Sequence, residues 1–320
     1  MALRIADRWI WDFWLVEDGR NYHVFFLQAP RSLGDSDLRH WNVSIGHAVS
    51  ADLRSWEVLT DALAPGRAGE WDDYTTWTGS IIRHNDVWHM FYTGGTRHEN
   101  GLIQRIGLAT SRDLVTWTKH PGNPLLVLDP RWYEPLDLTS WHDQAWRDPW
   151  LLQDPRTSEW HAFVTARSAS GVPDGRGVIG RARSVDLMKW EVLPPLTQPG
   201  DFGHLEVPQV VAANGTYYLL FSVPAADYSA RRRAAGIGRP VTGTHYAILT
   251  DVFGSAPSRN GHGFGTPLSP LYGGKLVSDP HGGWCFLGWI ERDGSGAFAG
   301  EISDPIPVEF GPSGALVLTT

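Results

Sequence analysis

The chain has 320 residues, 42% of them hydrophobic and 19% charged, a balance that excludes a disordered polypeptide. Lysine and arginine total 27 against 35 acids, a net charge of −8, which argues against nucleic acid or an anionic membrane as a partner. A single cysteine, Cys285, excludes an internal disulfide and a cysteine-based zinc cage.

The N-terminus, MALRIADRWIWDFW, has no charged region leading into an apolar stretch and a small-residue cleavage site. With Met1 as the start, this predicts a cytoplasmic protein, and no run of 18 apolar residues predicts a membrane span. WIWDFWLV then reads as a strand with one acid, Asp12, in its apolar middle. NYHVFFLQ, from Asn21, follows across the turn signal DGRN. IGHAVSADLRSW (Ile45–Trp56) is a strand of alternating pattern, a polar S-x-D-L turn and a tryptophan.

This pattern recurs. IGLATSRDLVTW (Ile106–Trp117) and IGRARSVDLMKW (Ile179–Trp190) repeat it, and HYAILTDVFGS (His245–Ser255) is a weaker fourth copy. The aromatic strand recurs as VWHMFYTG, EWHAFVTA, TYYLLFSV and GWCFLGWI, with starts 66, 72, 57 and 67 residues apart. Five strand-rich units of about 64 residues predict an all-β, five-bladed β-propeller with four antiparallel strands per blade, spanning 1–320 as one domain. A long β-sandwich gives no reason for a repeated turn and tryptophan. Seventeen tryptophans fit the wedge-shaped gaps between blades, and some are expected on sugar rings.

The strand before each aromatic strand is expected to be innermost, with its polar groups facing the central channel. Asp12 lies ten residues before Tyr22, Asp148 twelve before Trp160, and Glu206 eleven before Tyr217. TWTGSIIR sits at a similar level, with Gly79 nine residues before Trp88. Three carboxyl groups in phase on three blades converge at one end of the channel, beside Trp77, Ser80 and Arg147. A carboxylate in an apolar strand is costly unless paired or used. Paired carboxylates are what glycoside cleavage requires.

At these residues the chain resembles the clan-J glycosidases, namely the invertase/inulinase family (glycoside hydrolase family 32) and the levansucrase family (family 68), over about residues 8–292. IWDFW carries Asp12 where levansucrases have V-W-D-S-W-P. WTGS (Trp77–Ser80) is similar to the W/F-S-G-S segment of the fructose site. Arg147–Asp148–Pro149 matches R-D-P, and Glu206–Val207–Pro208 matches E-C-P or E-R-P. The resemblance implies Asp12 as nucleophile, Glu206 as acid/base and Asp148 as holder of the fructose 3- and 4-hydroxyls. It further implies a retaining mechanism on β-fructofuranosides such as sucrose.

Three departures are visible. No Asn precedes Asp12 and no Pro-Asn-Gly follows it, His204 stands where levansucrases have a second Glu, and the C-terminal β-sandwich of invertases is missing. Trp11, Gln28, His142, His204 and Arg231 complete the expected sugar-binding set, with Trp77, Ser80 and Arg147. Thirteen scattered histidines and the absence of a G-x-G-x-x-G turn predict neither a metal nor a cofactor. Another furanosidase of this fold, arabinofuranosidase-like and inverting, or a non-catalytic sugar-binding propeller, remains open.

Overall fold

A computed structural model describes residues 2–254 and 264–319. Five antiparallel sheets succeed one another along the chain. Their inner strands are Arg8–Glu17, Thr75–His84, Trp146–Gln153, Glu206–Ala213 and Tyr272–Ser278. Each pairs with one of the aromatic strands read from sequence, Tyr22–Pro30, Val87–Gly95, Trp160–Arg167, Thr216–Val223 and Trp284–Arg292. Third and fourth strands complete a five-bladed propeller with four strands per blade. Blade five carries one extra strand, Phe298–Ile302, beside Trp284–Arg292. The one α-helix among the described residues is Ala230–Ala234.

The repeated motif has a physical origin. In its three strong copies, Asp52, Asp113 and Asp186 each accept two backbone N–H groups from the residues two and three positions on. The following leucines, Leu53, Leu114 and Leu187, adopt φ of 60°, 64° and 65°. Leucine is uncommon there, and burial of each side chain beneath its turn holds it in place. The tryptophan then fills the gap to the preceding blade. Trp117 packs edge-on against Phe25 and Trp190 against Phe91, each on the aromatic strand of the blade before. The fourth copy, which runs to Ser255 outside the described residues, substitutes Phe253 against His161.

The third strands are buried on nearly every residue rather than alternately. Each blade is covered on both faces by its neighbours, so period-two amphipathicity has no solvent face to reflect. The ring closes through Leu3, which exchanges both backbone hydrogen bonds with Ile302 at 2.8 and 3.1 Å.

Candidate active site

All five inner strands contain a β-bulge at the same level. The register shifts between Trp11 and Phe13, Trp77 and Gly79, Arg147 and Trp150, Glu206 and Gln209, and Tyr272 and Lys275. A bulge gives the inner strand one residue more than its partner and re-aims the side chains there. The equivalent bulge positions are Asp12, Thr78, Asp148, Val207 and Gly273. Four of them have positive φ: 20° at Asp12, 56° at Asp148, 51° at Val207 and 60° at Gly273. The residues just before them, Trp11, Trp77, Arg147, Glu206 and Tyr272, form a second ring. Asp12 and Asp148 therefore share one level, and Glu206 stands one residue earlier on its strand.

All of these ring residues but Gly273 line a cavity of about 650 Å3 at one end of the channel. Asp12 Oδ1 accepts a 2.8 Å hydrogen bond from Trp289 Nε1, and Oδ2 a long one of 3.4 Å from Thr78. Asp148 is buried; its Oδ2 accepts from Thr165 Oγ1 at 2.8 Å and from the Val207 N–H at 3.2 Å. Glu206 Oε1 accepts from Arg147 Nη2 at 2.7 Å, and Oε2 accepts from the Tyr272 hydroxyl. Arg147 also donates to Gln104 and Asp143.

His204 lies behind Glu206, buried. The indole of Trp141 can only donate, and it lies 2.9 Å from His204 Nε2, so that nitrogen is the acceptor. In the neutral ring the proton is then on Nδ1, 3.5 Å from Glu206 Oε1. His142, Asp143 and His204 cluster closely enough to hold a metal ion. However, Arg147 donates to Asp143 Oδ2 at 3.0 Å, and Trp141 already takes up the acceptor nitrogen of His204. These residues fit an arginine-centred network better than a cation site.

The environments of the acids differ sharply. Burial pushes Asp12 up to about 7, reinforced by the nearby Asp148 and Glu206 carboxylates and opposed by Trp289 and Lys275. Burial and Glu206 also raise Asp148, against the pull of Arg147. Burial alone would raise Glu206, but hydrogen bonding from His204, the Arg147 charge and Tyr272 together hold it well below the usual carboxylate range. The retaining scheme needs the nucleophile ionised and the acid/base protonated. In the free site the order is the reverse, with the stronger affinity on Asp12 rather than on Glu206.

Four tryptophans, Trp11, Trp41, Trp77 and Trp289, line the cavity; the other thirteen do not. Trp11 is 1% exposed and offers the cavity little more than an edge. Trp77 is half-buried and ties its indole to the His40 carbonyl at 2.9 Å. His142 is at the mouth.

Four sequence candidates do not line the cavity: His204, behind Glu206, and three more. Ser80 is buried and does not line the cavity, because the bulge turns Thr78 inward in its place. Gln28 is buried within blade one, donating to Ser44 and packing over Gly46, where a Cβ would come within 2.8 Å of it. Arg231 is exposed on the short helix, 3.6 Å from Asp201, outside the cavity.

Sequence reasoning missed Tyr272, Lys275 and Trp289, all from blade five, whose inner strand YGGKLVS contains no acid to draw notice. The double glycine was the available signal, since each of the other bulges falls at an equally unusual residue pair. It also missed Arg39, His40 and Trp41, carried on the 3-10 segment Ser36–Trp41, and Glu291. Arg39 sits between the rings of Trp11 and Phe298, 5.5 and 4.2 Å from their centroids. Burial lowers His40 to about 4.

Comparison with known proteins bears on this geometry. Among curated relatives, the sucrose-6-phosphate hydrolase of Escherichia coli is 28% identical over 66% of this chain and 41% of its own length. The bifunctional 6(G)-fructosyltransferase/2,1-fructan:2,1-fructan 1-fructosyltransferase of Allium cepa is 30% identical over 56% of this chain and 27% of its own. The chain thus spans less than half the length of either. Among solved structures, an inulosucrase from Halalkalicoccus jeotgali bound to kestose superposes with a TM-score of 0.77 at 22% identity, covering 98% of this chain and 88% of that one. A Bombyx mori GH32 beta-fructofuranosidase gives 0.72 at 21% identity, covering 99% and 64%. These two likenesses concern the fold. The description "Glycosyl hydrolases family 32 N-terminal domain" matches residues 14–292, starting two residues after Asp12. With that match extending over most of its length, the chain belongs to glycosyl hydrolase family 32.

Proposed function

We propose that this chain is a glycosidase acting on β-fructofuranosides by a retaining, two-carboxylate mechanism, with Asp12 as nucleophile and Glu206 as acid/base. The observation that supports it best is the pair itself. Two carboxyls face one cavity from blades one and four, with Asp148 and Arg147 between them. Family membership and the names of the relatives, fructosyltransferases and sucrose-6-phosphate hydrolases, point to the same chemistry.

In the first step an Asp12 oxygen bonds to the anomeric carbon as the glycosidic C–O bond breaks, and the Glu206 proton passes to the leaving oxygen. Oδ2, with only its long contact to Thr78, is the freer oxygen for attack. In the second step Glu206 takes a proton from water or a sugar hydroxyl, which displaces Asp12. Asp148 and Arg147 hold the ring hydroxyls. Between the low affinity of Glu206 and the value of about 7 at Asp12, the pair carries one proton. Positive charge developing at the anomeric carbon favours ionised Asp12, and so favours that proton on Glu206.

Sucrose or another small fructoside is the proposed substrate. The test is incubation with sucrose, inulin, levan and aryl furanosides, measuring released glucose and fructose. Equal amounts from sucrose mean hydrolysis, and glucose in excess means fructosyl transfer. Cleavage of an arabinofuranoside with none of any fructoside would overturn the reading. So would wild-type turnover in Asp12→Asn or Glu206→Gln.

A further inference from the structure

Lys275 follows the Gly273–Gly274 bulge of the fifth inner strand and is 2% exposed. Its ammonium group has three donors but makes one hydrogen bond, to the Val207 carbonyl at 2.9 Å, and stands 5.9 Å from the Trp150 ring centroid. Among the described residues it forms no ion pair. A buried cation without a paired anion is costly, and this one persists only where nearby negative charge offsets it. Asp12 and Asp148 supply that charge: burial lowers Lys275 to about 8, and these two acids oppose the fall.

The acceptor of its hydrogen bond is equally telling. Val207 directly follows Glu206 and sits at φ 51°, a strained conformation for a β-branched residue. The peptides on either side of it are both held, the N–H by Asp148 and the carbonyl by Lys275. Lys275 therefore grips the residue next to the acid/base, and it stands two positions on from Gly273, where an added Cβ would lie 3.3 Å from Asp12 Oδ1.

We propose that Lys275 is a positioning residue that biases the single proton shared by Asp12 and Glu206 toward Glu206. The proposal rests on the glycosidase reading above. The positive charge favours ionised Asp12, while the bond to Val207 fixes the strand bearing Glu206.

Other titratable groups stand around the pair. Arg39 faces Asp12 from the 3-10 segment, and Asp148 lies beside Asp12 on its own level. Arg147, His204 and Tyr272 surround Glu206, with Asp143, His142 and Asp227 beyond them. On the other side of Lys275, a separate cavity of about 230 Å3 is lined by Glu17, Tyr22, Gln209 and Trp150.

The experiment uses Lys275→Met and Lys275→Arg. The pH dependence of kcat/KM is measured on the fructoside turned over. In parallel, the Asp12 carboxyl is titrated by 13C NMR, with Asp12→Asn assigning its resonance. Lys275→Met is expected to move the alkaline limb and the Asp12 titration up by about one unit or more, and to lower the plateau about tenfold. Lys275→Arg is expected to restore both positions. An unmoved limb and an unmoved titration in Lys275→Met overturn the proposal, whatever the plateau, because a purely structural loss lowers activity at every pH alike. If the wild type turns over no furanoside, the glycosidase reading fails, and the NMR titration still decides the role of Lys275.

Discussion

Asp12 presents a direct conflict between stability and use. A carboxyl raised from 3.8 to about 7 is protonated at mildly acidic pH in the folded chain but ionised in the unfolded one. Its stabilising contribution is therefore fully present below pH 4 and lost as pH rises through about 7. Asp12→Asn, which carries no charge to bury, should become progressively more stable than wild type between pH 4 and 7.5. The gain should reach roughly 4 kcal/mol at most, measured by urea unfolding at the two ends of that range. Equal stability of the two proteins at pH 7.5 would show that Asp12 is not held in this way. On the roles proposed above, the same proton also governs rate. Once the pair loses its last proton no acid remains, so kcat/KM should fall as pH rises through about 7. A profile still rising at pH 8.5 would place the working acid elsewhere.

At the scale of elements, the inner strands show why the acids were legible and their partners were not. Asp12, Asp148 and Glu206 stand in apolar strands at similar distances from a recurring aromatic strand, a pattern any reader can count. The contacts that tune them cross from blade to blade. Trp289 reaches Asp12 from a second strand, and Tyr272 reaches Glu206 from the neighbouring blade. No local pattern announces those contacts. Bulges also break the strict alternation of faces, which is how Ser80 was expected where Thr78 stands.

The turn-and-tryptophan motif was legible because it repeats, and its task is packing between blades. Trp117→Ala should cost about 3 kcal/mol by opening the gap against Phe25, with kcat on a fructoside little changed once the protein is folded. A loss of activity larger than the loss of folded protein would mean that the motif also supports the site.

The whole molecule is a circle of five blades joined where the chain's early and late segments meet. Leu3 pairs with Ile302, and Arg4 meets Glu301 at 2.8 Å. The propeller could be read from its repeats, yet this closure could not, since residues 2–7 carry no repeat and their partners lie some 300 positions away. Deleting residues 1–5 should weaken that join. The expected sign is loss of fructoside turnover at lower urea than the loss of far-UV circular dichroism, because the blades themselves remain intact. Coincident transitions would show the join to be dispensable to the site. The reason lies in where the reacting groups stand. Asp12 belongs to the first blade, while Trp289, Tyr272 and Lys275, which hold or charge the two acids, belong to the fifth. On the roles proposed above, the chemistry straddles the seam of the ring, and loosening that seam is expected to mis-set the Asp12 carboxyl before it melts the protein.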